Sequence, residues 1–350
     1  MHESNNLPTE AGILGPRSQR AIDLKPIAEQ VVVILGASSG IGRETAMRFA
    51  ERGASVVVAA RDELGLTSLV EEITRSGGQA IHVVCDVSDF EQVEGVAAAA
   101  VGAYGRIDTW VNVAAVSVYA TFEDTSLEEF RRIMDVNFMG QVHGAKAALP
   151  HLRREGRGAL IAISSVESIV SLPLHSAYAA SKHAVEGVFD ALRRELMAGG
   201  VPISVTSVKP ATINTPFFNN SRSKIGVEPK GPPPIYEPGV VADCVLYAAE
   251  HPVRDLFAGG AGRMMIMNQA LAPGAMDAVL TRVGIPLQRT DEPPTEGNLY
   301  QPQHDSRISG DYGDQARKFS AYTWLQTHPR ERTLAIGASL ATTLLLARRR

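Results

Sequence analysis

The feature that most constrains the fold is an apolar run followed directly by a glycine-rich turn and a helical pattern. Residues 31–35 are all apolar, as in a parallel strand buried on both faces. Residues 36–42 read Gly-Ala-Ser-Ser-Gly-Ile-Gly, and a helical pattern runs from Arg43 to Arg52. This order is typical of a dinucleotide-binding loop, because backbone N–H groups meet the positive end of the helix dipole there. An ordinary strand-to-helix turn is the alternative.

The alternation of strands and helices continues along the chain. Apolar runs at 55–60, 80–85, 108–113, 158–163 and 203–208 are separated by helical patterns. This order predicts an α/β fold with a doubly wound parallel sheet and helices on both faces. Ligands of such sheets bind outside the carboxyl ends of the strands. The candidate phosphate-binding residues are therefore those of the first turn: Gly36, Ser38, Ser39, Gly40, Ile41 and Gly42.

The end of the second strand favours one nicotinamide cofactor over the other. An acidic residue there would bind the adenosine ribose of NAD(H), but this chain has Ala60 followed by Arg61. Because a guanidinium makes bidentate bonds to phosphate, we expect Arg61 to bind the 2′-phosphate of NADP(H). NAD(H) is the alternative cofactor, and a solvated arginine is the alternative interpretation of Arg61.

A serine, a tyrosine and a lysine form the candidate catalytic group. Ser165 precedes Tyr178 by thirteen residues, and Lys182 follows it by four. On a helix, Tyr178 and Lys182 share one face. A neighbouring ammonium lowers the pKa of a phenol, which can then exchange a proton with an alcohol or carbonyl. The alternative for Tyr178 and Lys182 alone is an exposed helix face.

Composition excludes several other classes of function. The chain has 350 residues and a net charge of -4, which gives no basic footprint for nucleic acid. Cys85 and Cys244 are far apart, so neither a disulfide framework nor a zinc site is indicated, and a reducing, cytoplasmic location is expected. The histidines lack metal-ligand spacing, so we expect no metal. We assign Met264, Met265 and Met267 to the core.

Taken together, these motifs resemble the short-chain dehydrogenase/reductase family over residues 30 to 270. The further matching positions are Asp86-Val87, Asn112, Asn137 and residues 210–215. The chain departs from the family pattern at Leu35, where a threonine is usual. The resemblance implies a Rossmann-like fold, a nicotinamide cofactor and a small-molecule carbonyl or alcohol substrate. Because relatives are commonly dimers or tetramers, a homo-oligomer is expected.

The resemblance also implies a role for each matching residue. Tyr178 would be the acid in ketone reduction and the base in alcohol oxidation. Lys182 would bind the nicotinamide ribose, Ser165 would polarise the substrate carbonyl, and Asn137 would anchor a water that links Lys182 to solvent. The remaining cofactor contacts implied are Asp86, Val87, Asn112, Pro210, Ile213 and Thr215.

Segment boundaries follow from changes in composition. We expect a flexible arm at 1–29, a catalytic domain at 30–275 with a substrate loop near 216–238, and an irregular linker at 276–332. Apolar residues in the loop, such as Phe217 and Phe218, indicate a lipophilic substrate, although they could merely pack the loop onto the domain. Residues 333–350 are apolar with a basic end. They could enter a membrane, but the apolar stretch is short for the hydrocarbon core, so a helix packed on the body or on a partner subunit competes.

Two functions of different class follow. The first is an NADP(H)-dependent oxidoreductase (EC 1.1.1.-) that interconverts a carbonyl and an alcohol. The alternative is a catalytically silent dinucleotide-binding sensor or scaffold. Because Asn137, Ser165, Tyr178 and Lys182 are all present, the sequence favours the enzyme.

Overall fold

A parallel sheet of seven strands forms the centre of the molecule in the computed structural model, which describes residues 22–334. The strands are β1 Val31–Leu35, β2 Ser55–Ala60, β3 Gln79–Val84, β4 Thr109–Asn112, β5 Gly158–Ile163, β6 Ile203–Pro210 and β7 Asp255–Ala258. They lie in the order β7-β6-β5-β4-β1-β2-β3, and every neighbouring pair is parallel. Strand order reverses between β1 and β4, which creates the crevice where doubly wound sheets bind ligands. The predicted fold class is confirmed.

Ten α-helices connect or follow these strands within the described residues. Pro238–Glu250 places its proline in the first turn, where no intrahelical donor is lost. The helices are α1 Gly40–Glu51, α2 Glu63–Arg75, α3 Phe90–Tyr104, α4 Leu127–Met134, α5 Gly140–Arg154, α6 Ser176–Ala198, α7 Pro238–Glu250, α8 Gly260–Leu271, α9 Pro273–Val279 and α10 Ala321–Thr327.

The sheet separates two hydrophobic cores. Val32 and Ile34 of β1 face one core with α1, α2 and α7, whereas Val33 and Leu35 face the other with α3, α5 and α6. Successive strand residues point to opposite faces, so an uninterrupted apolar strand supplies both cores. This explains why residues 31–35 are all apolar and all buried.

The chain after residue 275 packs on the domain, which differs from the irregular linker expected there. Helix α9 continues into a π-helical turn at Leu280–Gly284 and a 3-10 turn at Pro286–Gln288. Residues 289–320 lack helices but contact the body, and α10 follows. The irregular part is fixed largely by backbone hydrogen bonds to other segments, which composition does not reveal.

The two ends of the chain are described only in part. The last residues of the expected arm pack on the domain, because Ile27 is buried and Lys25 forms an ion pair with Asp108. Residues 1–21 and 335–350, which include most of the apolar C-terminal segment, lie outside the described range. From residue 22 to 334, no helix combines the length and apolar character that crossing a membrane requires.

Candidate active site

One cavity of about 480 Å³ runs along the carboxyl ends of the strands. It joins the glycine-rich turn after β1 to the start of α6, as expected for a ligand site in a doubly wound sheet. The predicted residues that line it are Gly36, Ser38, Ser39, Gly40, Ile41, Arg61, Asp86, Val87, Ser165, Tyr178, Lys182, Pro210, Ile213 and Thr215. Gly42, Asn112 and Asn137 are outside this lining.

The glycine turn is shaped so that only glycines fit two of its positions. Gly36 has a φ of +89°, and a Cβ there would lie 2.5 Å from Ala114 N. A Cβ on Gly42 would lie 2.0 Å from Gly36 O. The turn is therefore closed tightly against the first turn of α1, whose N-terminal residues Gly40 and Ile41 line the cavity. This backbone cradle at a helix N-terminus fits a pyrophosphate.

Arg61 follows β2 and is held by a segment that we call the strap, residues 295–311. Its Nη2 donates to Asn298 O at 2.5 Å, and its Nη1 donates to Tyr300 O at 3.1 Å and also to Leu299 O. Asn298 lines the cavity beside Arg61. These bonds to backbone carbonyls orient the guanidinium. They involve both terminal nitrogens, and the strap makes no bond to Nε.

The strap also contacts Asp62 and the glycine turn. Asp62 Oδ1 accepts a hydrogen bond from His304 Nδ1 at 2.8 Å, while its Oδ2 is buried and has no partner among residues 22–334. Gly40 N–H donates to Arg307 O at 2.9 Å. The strap therefore covers the end of the cavity where Arg61 lies.

Asp86 at the end of β3 is held ionised by an arginine. Burial raises its pKa, but hydrogen bonds from Arg132 and Ser88 outweigh burial and hold the pKa below the usual value. The Arg132 Nη2 lies 2.6 Å from Asp86 Oδ2. Arg132 also donates to Leu299 O, so it connects the cavity wall to the strap.

Three of the four predicted catalytic side chains, Ser165, Tyr178 and Lys182, line the same cavity. Ser165 follows β5, whereas Tyr178 and Lys182 lie on the first two turns of α6. The Lys182 Nζ is 5.5 Å from the centre of the Tyr178 ring and donates to Ile163 O at 2.9 Å. All three side chains line the same space, as the spacing predicts.

Burial dominates the ionisation of this group. It lowers the pKa of Lys182 to about 8, although Glu186 and Glu167 act in the opposite direction. Burial also raises the pKa of Tyr178; Glu167 raises it further, and a hydrogen bond with Ser165 lowers it in part. Burial and Glu167 thus hold the pKa of Tyr178 above its ordinary value in this structure, opposite in direction to the lowering expected from Lys182.

Asn137 lies behind the catalytic side chains, within a π-helical turn at Asp135–Met139. Its Oδ1 accepts from Val116 N–H at 2.8 Å, and its Nδ2 donates to Val116 O and Ser181 Oγ. The side chain thus joins α6 to the loop after β4. π-Helical turns inside longer helices are frequently found at functional sites.

Asn112 does not contact the cavity, in contrast to the cofactor role implied for it. Its Oδ1 accepts from Trp110 Nε1 at 3.0 Å, and the side chain is buried. Its Nδ2 has no partner within the described part of the chain. Leu35 pairs with Asn112 in the sheet, and its apolar side chain, which replaces the usual threonine, offers no acceptor.

Sequence reasoning missed the wall of the cavity beyond Tyr178. Residues of α9 and the turns after it line this end, although they lie in the predicted linker. They are Met276, Val279, Leu280, Val283 and Leu287, and their spacing is that of one apolar helix face. Met264 and Met267 are exposed, so placing them in the core was wrong, whereas Met265 packs against a small core cluster and also lines the cavity.

Comparison with known proteins agrees with this geometry. Residues 30–226 match the family model for short chain dehydrogenases. An uncharacterized oxidoreductase of Bacillus subtilis is 39% identical over 79% of this chain and 79% of its own length. The dehydrogenase/reductase SDR family member 7B of Xenopus tropicalis is 36% identical over 71% of this chain and 83% of its own length.

Among solved structures, an alcohol dehydrogenase from the archaeon Thermococcus sibiricus, complexed with 5-hydroxy-NADP, superposes with a TM-score of 0.57. It is 25% identical, and the match covers 65% of this chain and 95% of that one. The sequence matches and the seven-stranded sheet indicate the same family. So does the cavity that the glycine turn and Tyr178 line together. This chain belongs to the short-chain dehydrogenase family of oxidoreductases.

Proposed function

We propose that this protein is an NADP(H)-dependent oxidoreductase that interconverts a lipophilic ketone or aldehyde with its alcohol. The observation that carries the proposal is that one cavity is lined both by the glycine turn with Arg61 and by Ser165, Tyr178 and Lys182. A dinucleotide laid along the carboxyl ends of the strands would reach from the first group to the second.

The chain's own residues have separate tasks in this reaction. NADP(H), when bound, supplies or accepts the hydride. Ser165 Oγ donates to the substrate oxygen and stabilises charge that develops on it. Tyr178 gives its phenolic proton to that oxygen in reduction and takes it back in oxidation. Lys182 keeps a positive charge beside the phenolate that results, and Asn137 fixes α6 relative to the loop after β4.

Two neighbouring residues bear on the choice of cofactor. Arg61 could bind the 2′-phosphate of NADP(H), and Asp62 could bind the ribose hydroxyl of NAD(H). The strap carbonyls hold Nη1 and Nη2 of Arg61 and leave Nε for a phosphate oxygen. Asp62 lines the same end of the cavity and is the acidic residue that a ribose hydroxyl would use. Because its Oδ2 is buried and its Oδ1 already accepts from His304, whereas the strap makes no bond to the Nε of Arg61, we favour NADP(H).

Titration of NADPH and NADH into the purified protein tests this assignment. We expect NADPH to bind at least about tenfold more tightly than NADH, as one charge-assisted phosphate contact predicts. Arg61→Ala removes this preference, whereas Arg75→Ala, an exposed arginine on α2, retains it. Equal binding of both cofactors by the unaltered protein would contradict the role of Arg61.

A further inference from the structure

The end of the cavity beyond Tyr178 contains a carboxylate among apolar walls. Glu167 lines this end together with side chains from the segment after Ser165, from α8 and from the turns after α9. Apolar residues of the same lining are Leu172, Met265, Met276, Leu280, Val283 and Leu287. A carboxylate in such surroundings is costly unless donors reach both of its oxygens.

Glu167 is tied to both residues that would hold the substrate oxygen. Its backbone N–H donates to Ser165 Oγ at 3.0 Å. Its Oε1 lies 2.9 Å from His175 Nδ1, which donates to it because a carboxylate can only accept. The His175 ring stacks on Tyr178 with 4.6 Å between ring centres. The carboxylate is therefore fixed close to the reacting centre.

The second carboxylate oxygen lacks a hydrogen-bond partner. Glu167 Oε2 is buried and has no partner among residues 22–334, and the side chain is 12% exposed. Because Glu167 lines the cavity, a ligand that enters this end can supply the missing donor once the carboxylate turns toward it.

A hydrolytic triad is the competing interpretation of this cluster, and the geometry opposes it. Ser117 Oγ lies 2.5 Å from His175 Nε2, which completes a serine, histidine and carboxylate sequence. Ser117, however, is 1% exposed and is not part of the cavity lining. No substrate can reach its hydroxyl, so the Ser117 bond serves to fix the orientation of the His175 ring.

We propose that Glu167 recognises a hydrogen-bond donor on the substrate, a hydroxyl or a protonated amine adjacent to the reacting carbonyl carbon. The apolar walls then hold a hydrocarbon body, so the substrate class is a lipophilic α-hydroxy or α-amino carbonyl compound, or its reduced form. This inference rests on the proposed oxidoreductase function and adds a specificity-determining residue to it.

Three ketones of equal chain length test the proposal: a methyl ketone, the corresponding hydroxymethyl ketone and the corresponding aminomethyl ketone. We expect kcat/KM with NADPH to be at least about tenfold higher for a donor-bearing ketone than for the methyl ketone, since the bond is to a charged group. Glu167→Gln replaces the carboxylate by a neutral amide, so the kcat/KM values for the donor-bearing ketones should fall toward that for the methyl ketone. Glu63→Gln, an exposed glutamate on α2, keeps the difference.

The results also identify the donor. A higher kcat/KM for the aminomethyl ketone than for the hydroxymethyl ketone would indicate that Glu167 recognises the positive charge of the amine. Equal kcat/KM values for these two ketones would indicate recognition through the hydrogen bond alone. Equal kcat/KM for all three ketones, or a ratio unchanged in Glu167→Gln, would overturn the proposal.

A binding experiment separates this inference from the oxidoreductase function. We expect calorimetric titrations with hexylammonium, 1-hexanol and hexanoate to show weakest binding for hexanoate, because Glu167 repels it. In Glu167→Gln, hexanoate should gain affinity relative to the other two. If no ketone is turned over but this order holds, the oxidoreductase proposal fails and the recognition proposal stands. If ketones are turned over but hexanoate binds equally well, the recognition proposal fails alone.

Discussion

Burial and catalysis make opposite demands on the ammonium group of Lys182. The side chain is 1% exposed and makes one hydrogen bond to a backbone carbonyl in the described structure, to Ile163 O. Burial disfavours the charged form and lowers the pKa to about 8, while Glu186 and Glu167 favour it. The protein thus keeps a cation at neutral pH in a place where water cannot compensate for it.

This shift has a measurable effect on stability. Between the native pKa of about 8 and the ordinary value of 10.5, the unfolded chain binds more protons than the native protein. Lys182 should therefore contribute a rise with pH in the free energy of unfolding without cofactor, on the order of 2 kcal/mol from about pH 8 to about pH 10, whereas the buried thiols of Cys85 and Cys244, whose pKa values are raised, act in the opposite direction. Urea denaturation of Lys182→Met should lack this rise, and Lys146→Met, at an exposed position of α5, should keep it. Identical pH profiles for Lys182→Met and the unaltered protein would contradict the buried charge.

The strap is irregular in structure, yet it forms part of the end of the cavity where Arg61 lies. Its carbonyl groups hold Arg61 and accept from Gly40, and its Leu299 enters the core that contains α3 and α5. The Leu299 side chain is 1% exposed, as in a residue of the core, so the strap packs as part of the domain and is more than a linker.

Removing that anchor should destabilise the whole domain. We expect Leu299→Ala to lower the free energy of unfolding by about 2–5 kcal/mol, the range for large-to-small changes in a core. Leu64→Ala, at a position on α2 that is 66% exposed, should change it by less than about 0.5 kcal/mol. Urea denaturation measures both. An effect of Leu299→Ala no larger than that of Leu64→Ala would mean that the strap does not pack as described.

The difference between α9 and the strap shows how far the sequence could be interpreted. The apolar residues from Met276 to Leu287 follow helical spacing, so that cavity wall was available to a pattern argument. The strap has no such period, because it is held mainly through backbone groups that every residue possesses. The contact of Glu167 with His175, and the stacking of His175 on Tyr178, were equally hidden, since they depend on residues being brought together across a turn.

The sheet places one end of the cavity at β2 and the other at α6, and residues after 275 contribute to both ends. The strap lies over Arg61, and the turns after α9 line the end beyond Tyr178. That Ser165, Tyr178 and Lys182 line one cavity could be predicted because their spacing reflects one helix and the end of one strand. The position of the Asn112 side chain could not be predicted, because its hydrogen bond with Trp110 depends on how the strand packs against the core.

In the proposed reaction, Tyr178 exchanges a proton with the substrate while the cofactor lies in the same cavity. The most direct test measures NADPH binding and ketone-dependent NADPH oxidation in the same preparations of the unaltered protein, Tyr178→Phe and the control Tyr247→Phe. We predict that Tyr178→Phe loses turnover by about 10²–10⁴-fold, as removal of a general acid requires, and still binds NADPH. Tyr247→Phe should resemble the unaltered protein. Undiminished turnover by Tyr178→Phe would contradict the account, and NADPH binding without turnover by the unaltered protein would favour a silent dinucleotide sensor.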